Sequence, residues 1–257
     1  MLKYIFCCIS LVYCNSNTYT QNTLTIPSRE TVEEFYDAIF SNNTEKAIKM
    51  LNHNFPAKFE PLNKVPPVHA AIWQKNLTLL KELVKKGANI QNSSDNIKTT
   101  SPSAIEVAAD KGNYEIVDYL IKQGCKINNN SAFNTAGYAN NYPTAKLLLL
   151  NGANQELGDL RGKFMVFDKA IRIVDYETLN ALNLNNHFIN MHNFNGETGL
   201  IIAIKNKNIA MVKYLLSKGA DKNIREMFDN GDDIKYGRKP IQIAIQMKQT
   251  EMISMLK

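Results

Sequence analysis

The sequence predicts an all-α fold, an elongated solenoid of stacked helix-turn-helix units with finger loops between them. Three observations predict it: a seven-residue segment recurs in one phase, each copy leads to a glycine at a fixed distance, and the apolar residues between fall at helical spacing. The copies begin at Pro66, Ser103, Ser131 and Thr198, and each stands 21 residues before its glycine, Gly87, Gly124, Gly152 or Gly219. A fifth copy, starting at Lys239, keeps the phase to Lys257. Successive glycines are 37, 28 and 67 residues apart, so insertions fall between units and the widest gap holds one degenerate copy.

Taken in chain order, residues 33–40 and 44–51 read as a first helix pair joined by Asn42-Asn43, an N-terminal cap. In the units that follow, Ser103, Ser131 and Thr198 place a side-chain oxygen where a helix begins, and Pro67 and Pro240 fall in the first turn, where a missing N–H costs nothing. Ala70, Ala71, Ala108, Ala109, Ala136, Ala203 and Ala244 keep each first helix slim enough for a close neighbour. Leu79, Leu80, Leu83 and Val84 give the second helix an apolar stripe, as do Ile116, Val117, Leu120 and Ile121 in the next unit. The four glycines then fit the residue after a helix that needs positive φ. Residues 164–173 and 176–184 fill the degenerate copy, with Asp175 expected in the place of the usual turn glycine. Seven units result, the first and fifth divergent and the last truncated as a C-terminal cap. Burying about five side chains per unit at roughly 1.5–3 kcal/mol each cannot offset about 1–2 kcal/mol of backbone entropy per ordered residue. Each unit must therefore lean on its neighbours.

The residues carry a family resemblance. Pro66-Pro67-Val68-His69-Ala70-Ala71 echoes Thr-Pro-Leu-His-x-Ala-Ala, and Gly112-Asn113-Tyr114-Glu115-Ile116-Val117 echoes Gly-x-x-Glu-Ile-Val. Leu83-Val84-Lys85-Lys86-Gly87-Ala88-Asn89 and Leu215-Leu216-Ser217-Lys218-Gly219-Ala220-Asp221 match the ending Leu-Leu-x-x-Gly-Ala-Asp/Asn. The chain resembles the ankyrin repeat family. That resemblance implies a non-enzymatic protein that binds a protein partner on a concave face built from fingertips and the exposed ends of first helices. Carried over by phase, the variable positions are Trp73 and Gln74, Asp110 and Lys111, Tyr138 and Ala139, Lys205 and Asn206, and Gln246 and Met247. Trp73, the sole Trp, and Tyr138 are the aromatic anchors among them. Lys98 and Thr99 in the long link 91–102, and Asn195 and Glu197, are the fingertip candidates. The resemblance also implies that His69 ties neighbouring loops by a local hydrogen bond.

Residues 1–16 have the three-part form of a secretory signal: Lys3, an apolar run at 4–13, then a polar stretch. The run is too short to span a bilayer as a mature helix. Residues 17–30 are then a flexible linker and 31–257 the repeat domain, exported to a periplasm or secreted. A second reading takes Leu11-Val12-Tyr13-Cys14 as a lipobox with a lipid anchor on Cys14, although Tyr13 stands where such boxes hold a small residue. Of the four cysteines only Cys125 lies in the body, where it replaces the small residue after Gly124, so no disulfide is expected.

The chain of 257 residues carries a net charge of +6, but its lysines are scattered along outer helix faces, at Lys81, Lys85, Lys86, Lys122, Lys213 and Lys218. Nucleic-acid binding is not expected from such a distribution. His-Glu-x-x-His, Gly-x-Ser-x-Gly, a phosphate-cradling glycine loop and Cys-x-x-Cys are all absent from the sequence. His53, His187 and His192 share no ligand spacing of note, and neither cofactor nor metal is expected. The alternative function is that of an enzyme accessory or metal-dependent enzyme using the acidic link 229–233, with Asp229, Asp232 and Asp233.

Overall fold

The computed structural model describes residues 27–59, 65–91, 102–229, 231 and 233–257. The leader, Cys14, most of the 17–30 segment, Lys98, Thr99 and Asp232 lie outside the described residues.

Seven helix pairs follow one another among the described residues: α1 (Arg29–Phe40) with α2 (Thr44–Asn52), α3 (Pro67–Trp73) with α4 (Leu77–Lys85), and α5 (Ala104–Asp110) with α6 (Tyr114–Lys122). Then come α7 (Ala132–Tyr138) with α8 (Tyr142–Leu150), α9 (Arg161–Ile173) with α10 (Tyr176–Ala181), α11 (Gly199–Lys205) with α12 (Ile209–Ser217), and α13 (Pro240–Gln246) with α14 (Thr250–Leu256). Each first helix packs on the next, α1 on α3 and so on to α13, while second helices form a parallel row behind them. The fold is thus an all-α repeat solenoid. The alanines of the first helices are fully buried, as are Leu79, Leu80, Leu83, Ile116, Val117 and Leu120 of the second. Small residues on one helix and large ones on the other let the pairs nest closely.

One turn is used in every unit. The first helix ends two residues before a residue of positive φ, namely Asn42, Lys75, Gly112, Asn140, Lys207 or Lys248, and in the fifth unit one residue before it, at Val174. In five units the next side chain, Asn43, Asn76, Asn113, Asp175 or Asn208, accepts a hydrogen bond from the third residue on and caps the second helix. This corrects the fifth unit: Val174, not Asp175, stands in the place of Gly112, and Asp175 is the cap. Asp175 also accepts from Lys146 at 2.7 Å and Tyr142 at 2.9 Å, which pins the fifth unit to the fourth.

A further expectation is corrected. Ser103 caps α5 in a reciprocal box with Glu106, and Thr198 caps α11, but the Ser131 side chain makes no cap bond. Instead Ser131 donates through N–H and Oγ to Glu106, at 2.9 and 2.6 Å. Ser103 donates its own N–H and Oγ to the same carboxylate at 2.9 and 2.8 Å, so Glu106 welds the third unit to the fourth. The His69 side chain makes no hydrogen bond with a described residue, the neighbouring loop 92–101 lies outside the described residues, and burial lowers the pKa of His69.

The fifth unit departs most from the pattern. Its first helix has 13 residues where neighbours have 7, and it begins on the backbone of α7 through Gly162. Lys163 is 1% exposed; its Nζ lies 2.6 Å from Glu156 and 4.7 Å from the centre of the Phe188 ring. The link 225–238 folds as a two-stranded antiparallel hairpin, β1 (Met227–Asp229) with β2 (Ile234–Tyr236), in the register Phe228 to Lys235. Met227 N–H donates to Gly196 O at 3.0 Å and joins this finger to the one before it.

Candidate protein-binding face

The shared turn sets a register. Two residues before each positive-φ position stand Phe40, Trp73, Asp110, Tyr138, Arg172, Lys205 and Gln246, one from each unit at the end of its first helix. Because first helices stack in order, these side chains form a row along one side of the molecule. Phe40, Trp73 and Tyr138 are 47%, 42% and 52% exposed, although each is large and apolar. Gln74 beside Trp73 is half-buried; Lys111 and Asn206 are exposed. Phe40 had no mark in the sequence, because the first unit lacks the Ala-Ala pair that locates the row; the Asn42-Asn43 turn was the available signal.

The two halves of the row differ in chemistry. In the first half the aromatics are flanked by little charge: Asp110 and Lys111 pair with each other at 2.8 Å on the surface. The Arg161 guanidinium lies 5.0 Å from the Tyr138 ring centre, oriented by Asp159. In the second half a continuous chain of ion pairs crosses three units. Asp168 holds Arg172 at 2.6 Å, Arg172 reaches Glu197 at 3.3 Å, Glu197 holds Lys205 at 2.7 Å, Lys205 reaches Glu226 at 2.8 Å, and Glu226 holds Arg238 at 2.9 Å. Arg238 ends the chain on Gln246. Burial alone would raise the Glu226 carboxyl, but hydrogen bonds from Arg238 and Lys205 outweigh it and hold the group at about 2. The charge of Lys205 is therefore engaged inside the stack.

The remaining candidates have local roles. Cys125 is buried, its thiol donates to Ile90 O at 3.3 Å, and burial pushes its pKa up to about 11. His53 bonds the Lys49 carbonyl and His192 the Arg225 carbonyl, each at 2.7 Å. On the hairpin Asp233 sits 3.5 Å from Lys235, and among the described residues no three His, Cys, Asp or Glu side chains gather closely enough to hold a metal. Among the described residues no helix is long and apolar enough to cross a membrane.

Comparison with known proteins agrees with this architecture. The sequence profile described as ankyrin repeats (3 copies) matches residues 68–159 and 167–257. An ankyrin repeat protein of fowlpox virus is 25% identical over 77% of this chain and 41% of its own length. One from Rickettsia felis is 28% identical over 78% of this chain and 49% of its own length. The chain thus spans less than half the length of these curated relatives. A chain in the solved complex of a predatory endopeptidase from Bdellovibrio bacteriovorus with an immunity protein is similar at 25% identity, with a TM-score of 0.45. That match covers 74% of this chain and 95% of the other.

Proposed function

The chain belongs to the ankyrin repeat family, and we propose that it is a binding protein, without catalysis of its own, that holds a protein partner along the row of first-helix ends. One observation carries this reading: Phe40, Trp73 and Tyr138 occupy equivalent positions and each leaves about half of a large apolar side chain in solvent. Neither the core nor the turn requires an aromatic there, since Asp110, Arg172, Lys205 and Gln246 fill the same position in other units. Rows of exposed aromatics held on stacked helices supply contact area at little conformational cost and are the usual anchors of interfaces.

Asp110, Lys111 and Asn206 are proposed as flanking contacts on the same side, and Lys98, outside the described residues, as a fingertip contact. Export also belongs to this proposal, supported by the pattern of residues 1–16. Fractionation of cells expressing the chain would place it; retention of an unprocessed chain in the cytoplasm would remove export without touching the binding reading. For binding, wild-type chain and a Trp73→Ala, Tyr138→Ala variant are compared as immobilised bait in an extract of the source cells and their surroundings. The expected outcome is a discrete partner retained by the first and lost by the second, with matched thermal melts. Equal recovery by both would overturn the proposal.

A further inference from the structure

We propose that the groove between the fingertip at residues 193–196 and helix α9 receives an acidic polypeptide segment carrying an apolar side chain. This rests on the protein-binding reading above and gives it a partner chemistry.

Four features of the groove point the same way. Its volume is about 270 Å³, below the roughly 300–1,000 Å³ of sites for drug-sized ligands, and suits one protruding side chain. Its apolar walls are Phe164, Met165 and Phe194. Phe194 is 84% exposed, the highest value among the large apolar side chains described. The backbone that carries it is a closed turn: Asn193 Oδ1 accepts the N–H groups of Asn195 and Glu197, both at 2.9 Å, and Asn193 N–H donates to Glu197 O at 2.9 Å. A turn already closed loses little backbone entropy when the aromatic it presents is covered.

The fourth feature is charge. The one carboxylate lining the groove, Asp168, is taken by Arg172 at 2.6 Å and by the Asn193 amide at 2.9 Å. Lys169, also in the lining and exposed, makes no ion pair with a described residue. Arg172 uses Nε and Nη2 on Asp168 and Glu197, leaving Nη1 without a partner among the described residues. The free charge of the groove is therefore positive beside an apolar wall. A basic segment would meet Lys169, and a wholly apolar one would leave it unmatched. Nucleic acid fits less well, because a phosphate backbone asks for a run of free cations and here the neighbouring ones are already paired.

Selection from displayed random peptides on the wild-type chain tests this, followed by anisotropy measurements on the selected peptides and on a single-stranded oligonucleotide. The expected result is enrichment of an apolar residue flanked by Asp or Glu, with affinity falling about tenfold in Lys169→Glu and in Phe194→Ser and falling again with salt. Both positions are solvent-exposed, so melts should match wild type. Enrichment of basic sequences, no enrichment, preference for the oligonucleotide, or unchanged affinity in Lys169→Glu would each overturn the inference. The bait comparison separates it from the broader reading. A recovered partner that needs Trp73 and Tyr138 but ignores Lys169→Glu and Phe194→Ser sinks only the groove. Recovery indifferent to all four substitutions sinks both.

Discussion

Gly162 lies directly against the carbonyl of Asn134: a Cβ on Gly162 would stand 1.9 Å from that oxygen. Nearby, a Cβ on Gly137 would stand 2.3 Å from Gly162 O, so α7 and α9 meet backbone to backbone. The buried Asn134 side chain secures the crossing. Its Oδ1 accepts from Lys163 N–H at 2.7 Å and its Nδ2 donates to Gln155 O and Leu157 O at 2.9 and 2.8 Å. Replacing Gly162 by Ala is expected to force the two units apart, at the upper end of the about 1–3 kcal/mol typical of overpacking. Urea denaturation measures it, and a loss under about 0.5 kcal/mol would contradict the contact.

A different glycine isolates backbone conformation. Gly124 has φ of 77°, and a Cβ there would meet nothing within 4 Å, so only the left-handed conformation opposes substitution. Gly124→Val is expected to cost about 1–2 kcal/mol and Gly124→Asn about half as much, since Asn tolerates this region. Equal thermal destabilisation by the two would show that space, not φ, governs the site.

Glu226 links stability to acid. Its pKa is held at about 2 against an ordinary 4.5, so the folded state binds fewer protons than the unfolded one between those values. The stabilisation is complete above the ordinary pKa and is lost as pH falls through the folded one. Glu226→Gln should cost on the order of 2–3 kcal/mol at neutral pH. That deficit should shrink as pH falls from 5 towards 2. A deficit constant across this window would mean that the ion-pair chain contributes nothing through charge.

The carboxylate of Glu106 joins two units through the N–H and Oγ groups of Ser103 and Ser131. Burial opposes its ionisation, yet the bonds from both serines carry its pKa below the usual range. Glu106→Ala is expected to cost about 2–4 kcal/mol and Ser131→Ala about 1 kcal/mol. The double substitution should fall short of the sum, because the second change removes bonds already broken. Strict additivity in a double-mutant cycle would show that the two do not interact.

Features legible in the sequence were those set within a few residues: the phase of the glycines, the small first helix, the Asn43 turn and the Ser103 and Thr198 caps. Each rests on contacts spanning about four positions, which a repeat prints in every copy. What escaped depends on neighbours a whole unit away. Ser131 looks like a cap until Glu106 is seen 25 residues earlier, and Arg172 and Lys205 look like free surface charges until Glu197 is placed between them and Glu226 beyond Lys205. Lys163 belongs to a charged helix start by pattern and is buried because α9 starts inside the stack. Only the pairing of the 225–238 hairpin with the Gly196 loop shows where Phe194 must stand.

Photocrosslinking tests the central claim most directly. A photoreactive amino acid is placed in turn at Trp73 and Tyr138, on the row of first-helix ends, and at Tyr114 and Leu150, exposed on second helices. The expected result is one partner band captured from positions 73 and 138 and absent from 114 and 150. Capture from 114 and 150 with none from 73 and 138 would place the partner on the row of second helices and contradict the account.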